Sequence, residues 1–142
     1  MNIVDFPFQT EIEVSFRDLD PMGHVNNAVY FTYIETARGR FMGQFFDIRK
    51  PLDIPLILGE ASCRYISPLL FGECVRVKLG ISRFGTKSFD MVYRLEGGDG
   101  RLVATARSTM IMFDYARGQS IPVPESFKAQ VAAFQGHWPP PA

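Results

Sequence analysis

The sequence predicts an α+β fold in which a five-stranded antiparallel sheet wraps around one long helix. One observation is a strand pattern of alternating apolar and polar residues, followed directly by a helical pattern from Asn27 to Phe46. The other is a series of alternating segments after that helix, separated by short turn signals. Strands joined by hairpins must be antiparallel, and a sheet with one apolar face needs a second layer to cover it.

The first two elements follow from their periodicity. Gln9 to Phe16 alternates, with Ile12, Val14 and Phe16 on one face, which is typical of a half-buried strand. The helical pattern places one apolar stripe on one side, and its members are Tyr30, Ile34, Ala37, Phe41 and Phe45. A stripe of small residues lies on the other side, and its members are Thr32, Thr36, Gly39 and Gly43. We therefore expect both sides of this helix to be covered.

The later elements complete an order of strand, helix and four strands, plus a short C-terminal helix. Leu56 to Ile66 predicts a strand with imperfect alternation, and Val75 to Ile81 predicts the clearest strand in the chain. The remaining predictions, in chain order, are a turn at Phe84–Lys87, a strand over Phe89–Leu95, a hairpin at Gly97–Gly100, a strand over Arg101–Phe113, a helix over Glu125–Phe134 with Pro124 in its first turn, and a loose tail over Gln135–Ala142.

Composition narrows the class of protein. The 142 residues fit one domain, 1–142, with its core at about 9–114. Fifteen basic and fifteen acidic residues give no net charge, so no nucleic-acid partner is expected. The start of the chain lacks the pattern of a signal peptide, and no apolar run is long enough for a membrane span, which predicts a cytoplasmic protein without a membrane partner. Cys63 and Cys74 are expected to be buried free thiols.

The joint between the first strand and the helix, Phe16 to Asn27, concentrates the polar chemistry of the chain. It contains Asp18, Asp20 and His24, and it ends in Asn26 and Asn27, which are good helix N-cap residues. A carboxylate just ahead of a helix faces free backbone N–H groups, and this combination can stabilise an oxyanion. Asp18, Asp20 and His24 offer three potential metal ligands without a fourth, so we expect no metal site and no cofactor.

The joint and the order of elements together resemble a known family. The pattern Asp18-x-Asp20-x-x-Gly23-His24-Val25-Asn26-Asn27, followed by Tyr30 and by Glu35-x-Ala37-Arg38, resembles the hotdog-fold acyl-CoA thioesterases of the 4-hydroxybenzoyl-CoA thioesterase group. The resemblance covers about residues 9–114. It departs from the family pattern at Leu19, where cysteine or threonine is common, and at His24, where some members carry an aliphatic residue.

The resemblance implies hydrolysis of an acyl-CoA thioester with Asp20 as the catalytic carboxylate, which either activates water or attacks directly. The backbone N–H of Asn27 is the expected oxyanion donor, and His24 is expected to support the site. Tyr30 and Gly23 are expected at the substrate. The turn formed by Gly85, Thr86, Lys87 and Ser88 falls where the resembled enzymes hold the nucleotide, although Lys87, flanked by Arg83, supplies little charge.

Several alternatives stay open at this point. Glu35 is the other helix carboxylate, but it lies eight residues past Asn27, about 12 Å along the axis, and its expected role is to pair with Arg38. The His-Val-Asn-Asn pattern is also similar to acyl-carrier-protein thioesterases, and a module that binds acyl-CoA without turnover is a third possibility. Open sheet edges favour a homodimer or homotetramer with sites between subunits.

Overall fold

The computed structural model describes residues 6–136, and they form one antiparallel sheet and two helices. In chain order the elements are β1 (Phe8–Glu13), α1 (Val29–Met42), β2 (Leu56–Tyr65), β3 (Cys74–Phe84), β4 (Ser88–Glu96), β5 (Leu102–Asp114), β6 (Gln119–Ser120) and α2 (Glu125–Gln135). Single 3-10 turns occur at Phe16–Asp18 and Pro51–Asp53.

The sheet confirms the predicted α+β architecture and adds its strand order, β1-β3-β4-β5-β2. β3, β4 and β5 form the expected meander, because each follows its neighbour through a short turn. β1 lies against β3 and β2 lies against β5, so the two strands that flank the long helix in the sequence occupy opposite edges. The two-residue strand β6, which the sequence did not predict, pairs with the end of β5.

The core lies between α1 and the inner face of the sheet. The predicted apolar stripe is confirmed at Tyr30, Ile34, Ala37 and Phe41, all of which are buried. The inner face of β3 is also buried at every predicted position, Val75, Val77, Leu79 and Ile81. α1 ends four residues earlier than predicted, because the chain folds into a turn in which the Phe45 and Phe46 N–H groups donate to the Met42 carbonyl. Phe45 therefore packs on the Phe41 ring from outside the helix.

Two predictions about the first strand and the cysteines are wrong. β1 ends at Glu13, and Phe16 is exposed because the 3-10 turn that starts after Ser15, closed by the hydrogen bond from the Asp18 N–H to the Ser15 carbonyl, rotates it out of the strand. Cys74 is exposed rather than buried, and Cys63 is only partly buried, although both thiols are free. Cys74 stands one residue before the buried Val75, so strand alternation places it on the outer face.

The C-terminal helix begins at Glu125 as predicted and ends at Gln135, one residue later than predicted. Pro124 is extended and precedes α2 as its N-cap, and Gln135, assigned to a loose tail, is instead a buried residue of the last turn. The rest of the predicted tail, residues 137–142, lies outside the described residues. α2 packs through Phe127 and Phe134 on Phe41 and Phe45, which closes one end of the core.

One side of α1 is not covered by any of the residues that the structure describes. Thr32, Thr36 and Gly43 of the small-residue stripe are exposed. β2 is likewise an exposed edge strand, because most of its residues are accessible and, among the described strands, it pairs only with β5. Between residues 6 and 136, neither helix combines the length and the apolar character needed to cross a membrane.

Candidate active site

A tight loop from Asp20 to His24 forms the centre of the joint. The Asp20 N–H donates to the His24 carbonyl (2.8 Å), and the Gly23 N–H donates to the Asp20 carbonyl (3.0 Å). Gly23 has a positive φ of 83°, a conformation that costs a residue with a side chain. The Val25 N–H then donates to the Leu69 carbonyl (2.9 Å), so the loop is fixed to the connector between β2 and β3. The sequence thus builds a rigid support for one side chain.

That side chain is the carboxylate of Asp20. Its Oδ1 accepts hydrogen bonds from the Met22 N–H (2.9 Å) and the His24 N–H (3.3 Å), both from the same loop. Among residues 6–136 no protein group donates to Oδ2. One oxygen therefore holds the carboxylate in place while the other stays available to a ligand or to water.

The turn that leads into α1 contains the backbone amide of Asn27, seven residues after Asp20 in the sequence. The Asn26 side chain accepts a hydrogen bond from the Ala28 N–H (2.9 Å), and the Asn26 carbonyl accepts one from the Val29 N–H (2.9 Å). Asn26 thus satisfies the amides of Ala28 and Val29, but α1 begins at Val29 with Ala28 as its N-cap, so the prediction of Asn26 or Asn27 as the N-cap is wrong. Within the described part of the chain, no acceptor pairs with the N–H of Asn27, which lies between Asn26 and these two amides.

Asp18 braces the joint from the other side. Its Oδ2 accepts from the Ser15 N–H (2.9 Å) and from the hydroxyl of the buried Tyr33 (2.8 Å). Burial first, and then the Asp18 carboxylate, raise the pKa of Tyr33 above its ordinary value, so the hydroxyl remains protonated and donates. Asp18 therefore fixes the joint to α1, and its partner Tyr33 could not be found from local sequence patterns.

A pocket of about 240 Å³ opens at the joint, and it brings together four of the predicted residues. Its lining contains Asp20, His24, Asn27 and Tyr30, and is completed by Val25, Tyr65, Ile66, Ser67 and Pro68. Gly23 belongs to the loop beside it and does not line the pocket.

The far wall of the pocket comes from the end of β2, which the sequence did not predict. The Tyr65 hydroxyl donates to the Asn27 carbonyl (2.6 Å), and the Tyr65 ring meets the Tyr30 ring edge-on at 4.9 Å. The only local sequence signal is the aromatic Tyr65, one residue before the end of the Leu56 to Ile66 pattern.

Arg101 donates to the Pro68 carbonyl (2.9 Å) and forms two hydrogen bonds with Glu73, of 3.1 and 3.0 Å. These hydrogen bonds from Arg101 are the main cause that lowers the pKa of Glu73.

The turn Gly85–Ser88 lies at the opposite end of the sheet from this pocket. It joins β3 to β4 beyond Phe84, whereas the joint meets β3 near Cys74, where Glu13 pairs with it. The two ends of β3, Cys74 and Phe84, are ten residues apart, which corresponds to about 33 Å along the strand. Within one chain, the structure therefore does not bring the predicted nucleotide turn to the Asp20 pocket.

The arrangement suits the hydrolysis of an activated acyl group. One pocket is lined by an oriented carboxylate and by an amide that has no partner between residues 6 and 136. The carboxylate can direct a water molecule or attack a carbonyl, and the amide can stabilise the resulting oxyanion. A thioester needs little more, because its thiol leaves as a thiolate, with a pKa of about 8.5 for an ordinary thiol. Fold and site thus define the class of the protein as a thioester hydrolase.

Comparison with known proteins agrees with this class. A family model described as the thioesterase-like superfamily matches residues 14–131, and the chain belongs to that family. A crystal structure of a thioesterase from Thermus thermophilus, complexed with coenzyme A and zinc, superposes with a TM-score of 0.85 and 28% identity over 94% of this chain and 98% of that one. The hotdog fold and the resemblance to acyl-CoA thioesterases are confirmed.

Two curated relatives have named activities. A 1,4-dihydroxy-2-naphthoyl-CoA hydrolase from Thermosynechococcus vestitus is 28% identical over 123 residues, which cover 82% of each protein. A putative esterase from Aquifex aeolicus is 29% identical over 90 residues, which cover 61% of this chain and 70% of the relative. Both names describe hydrolysis of esters or thioesters, in keeping with the class defined by the site.

Proposed function

We propose that the protein hydrolyses acyl-CoA thioesters at the pocket lined by Asp20 and Asn27. The observation that carries this proposal is the state of the Asp20 carboxylate, with Oδ1 held by two loop amides and Oδ2 without a donor among the described residues. The names of the similar proteins, which include coenzyme A and an aroyl-CoA, support CoA as the carrier of the acyl group.

The reaction begins with the thioester carbonyl in the pocket and its oxygen near the Asn27 N–H. Asp20 either takes a proton from water as the water oxygen bonds to the carbonyl carbon, or attacks that carbon directly and forms an anhydride that water then hydrolyses. In both cases the C–S bond breaks, the thiolate departs, and the carboxylic acid product is released. His24 supports the step through its backbone, since its N–H and carbonyl both contact Asp20.

The proposed active unit is a homodimer, or a tetramer built from such dimers. β2 exposes an edge of ten residues that no other described strand pairs with, the kind of edge that proteins protect by pairing. The turn Gly85–Ser88 is far from the pocket of its own chain, so a role for Lys87 and its neighbours at the CoA phosphates requires the turn of a second subunit. In this arrangement, one chain offers Asp20 and the start of α1, and its neighbour offers part of the nucleotide cleft.

The test is thiol release from a panel of acyl-CoA esters by the wild type, Asp20→Asn and Asp47→Asn. Asp47 is an exposed aspartate paired with Arg49 outside the pocket, so its variant controls for loss of one carboxylate. We expect Asp20→Asn to fold normally and lose nearly all turnover, while Asp47→Asn keeps it. Full activity of Asp20→Asn would rule the mechanism out, and binding of CoA esters without any turnover by the wild type would indicate a non-catalytic module.

A further inference from the structure

A second cavity, of about 320 Å³, lies between the middle of α1 and the first half of β2. Its lining includes the apolar residues Met42, Leu56 and Met110 together with polar atoms. Two charged side chains also line it, Glu35 and Arg38 of α1.

A chain of hydrogen bonds from the core holds the guanidinium of Arg38 in place. One of its terminal nitrogens donates to the hydroxyl of Tyr93 (3.1 Å), which in turn shares a hydrogen bond of 2.7 Å with Ser108. Tyr93 and Ser108 are both buried, so this chain of hydrogen bonds is fixed by the core. Glu35 shares the cavity, but no nitrogen of Arg38 lies within 4.0 Å of a carboxylate in the described part of the protein. Arg38 therefore presents free donors to the cavity.

One face of α1 extends from the Asp20 pocket toward this cavity. Phe31 and Arg38 are seven positions apart on α1 and share one stripe of the helix, and Asn27, four positions before Phe31, continues this stripe in the turn that precedes the helix. The stripe is about 16 Å long from Asn27 to Arg38, at 1.5 Å per residue. The inner face of β2 between the two cavities carries only the small side chains of Ala61 and Cys63, which are partly exposed.

We infer that the groove between α1 and β2 holds the acyl group, and that Arg38 binds a carboxylate at the end of that group remote from the thioester. The inference rests on the function proposed above and names its substrate class, long extended acyl groups that end in an anion. Arginine suits this role, because its planar guanidinium can donate two parallel hydrogen bonds to a carboxylate. Glu35, in the same cavity, repels that carboxylate and limits its affinity.

The experiment compares two series of straight-chain acyl-CoA esters of equal length, one ending in a methyl group and the other in a carboxylate. For each enzyme, kcat/KM is measured for both series, and the readout is the ratio of carboxylate-ended to methyl-ended substrate. A hydrogen-bonded charge typically changes this ratio by about tenfold to a hundredfold. We expect the wild-type ratio to exceed one and to peak at the length that spans the groove.

Three variants in the cavity and one control variant test whether Arg38 sets this ratio. Arg38→Met should lower it at least tenfold, and Arg38→Lys should restore part of it. Glu35→Gln should raise the ratio, because it removes the repelling charge. Arg107→Met is the matched control, since Arg107 is an exposed arginine on the outer face of β5, and it should leave the ratio unchanged.

The outcomes separate this inference from the proposed function. If the wild type releases thiol from both series equally at every length, or if Arg38→Met changes both series by the same factor, the role of Arg38 is wrong while hydrolysis stands. A change in oligomeric mass of Arg38→Met with an unchanged ratio would assign Arg38 to a subunit contact instead. If no ester is hydrolysed, the proposed function and this inference both fail.

Discussion

The side-chain amide of Gln135 forms two hydrogen bonds with the backbone of Ile81, as a neighbouring strand would. Its Oε1 accepts from the Ile81 N–H (2.9 Å), and its Nε2 donates to the Ile81 carbonyl (3.1 Å). β1 begins at Phe8, opposite Leu79, and so does not reach Ile81. The last turn of α2 thus completes the edge of β3 where β1 stops, and it satisfies two backbone groups that the core would otherwise leave without partners.

Replacing Gln135 should therefore destabilise the protein more than its place near the end of α2 indicates. Gln135→Ala leaves the Ile81 N–H and carbonyl unpaired in a buried position, and each such group costs about 1–3 kcal/mol. We expect a loss of roughly 2–4 kcal/mol in the free energy of unfolding, measured by urea denaturation. Gln130→Ala on the exposed side of α2 is the control and should change stability by less than about 0.5 kcal/mol. Equal effects of the two substitutions would contradict this role.

The limits of the sequence are clear at this residue. Alternation correctly predicted the inner face of β3, because strand periodicity depends on neighbours in the chain. The partner of Ile81 is 54 positions away, and nothing in the local pattern marks Gln135 as buried. Its assignment to a loose tail was wrong for that reason.

β2 shows how an irregular pattern can still encode a strand. Leu56 and Leu58 face the same side as Ala61 and Cys63, although their spacing changes parity, because the register shifts at Gly59. A β-bulge inserts one residue and re-aims those that follow. A side chain at Gly59 would also meet Ile111 at 3.0 Å, so glycine suits the bulge. The imperfect alternation of the sequence was thus a structural signal.

Local sequence patterns predicted one part of the candidate site and missed another part. Asp20, His24, Asn27 and Tyr30 were predicted and share a pocket, because they lie within eleven consecutive residues whose loop and helix start have recognisable local signals. The wall formed by the end of β2 and the distant position of Gly85–Ser88 depend on the order of the strands. That order is decided by contacts between distant segments and could not be predicted from turn signals alone.

The contact between Asp18 and Tyr33 should couple the joint to α1. Tyr33→Phe removes one hydrogen bond and should cost about 1 kcal/mol, whereas Asp18→Ala leaves the buried hydroxyl without an acceptor and should cost about 2–3 kcal/mol. In a double-mutant cycle, the double variant should lose less stability than the two single variants together, because both substitutions remove the same interaction. Strict additivity in chemical denaturation would show that the two groups do not interact.

The ion pair between Glu73 and Arg101 should make stability depend on acid pH. The hydrogen bonds from Arg101 lower the pKa of Glu73, so its carboxylate stabilises the fold above the pKa of the unfolded chain and loses this effect as pH falls through the folded value. Glu73→Gln should cost about 1–2 kcal/mol at neutral pH, and the difference from the wild type should shrink toward zero in acid.

The measurement for Glu73 is urea denaturation of both proteins from neutral pH down to acid. Glu60→Gln serves as the control, because Glu60 is exposed on β2, and its difference from the wild type should be small at every pH. A difference between Glu73→Gln and the wild type that stays constant with pH would show that the pair adds nothing through its charge.

The amide of Asn27 can be tested apart from its side chain. Asn27→Ala keeps the backbone N–H, while Asn27→Pro removes it. If this amide stabilises the oxyanion, Asn27→Pro should lower kcat by about 10²–10³-fold relative to Asn27→Ala, which corresponds to about 3–4 kcal/mol in the transition state. Thermal unfolding and circular dichroism of both variants show whether α1 still forms. A folded Asn27→Pro enzyme with the kcat of Asn27→Ala would place the oxyanion donor elsewhere, because Asn27→Pro lacks the hydrogen-bond donor that Asn27→Ala keeps.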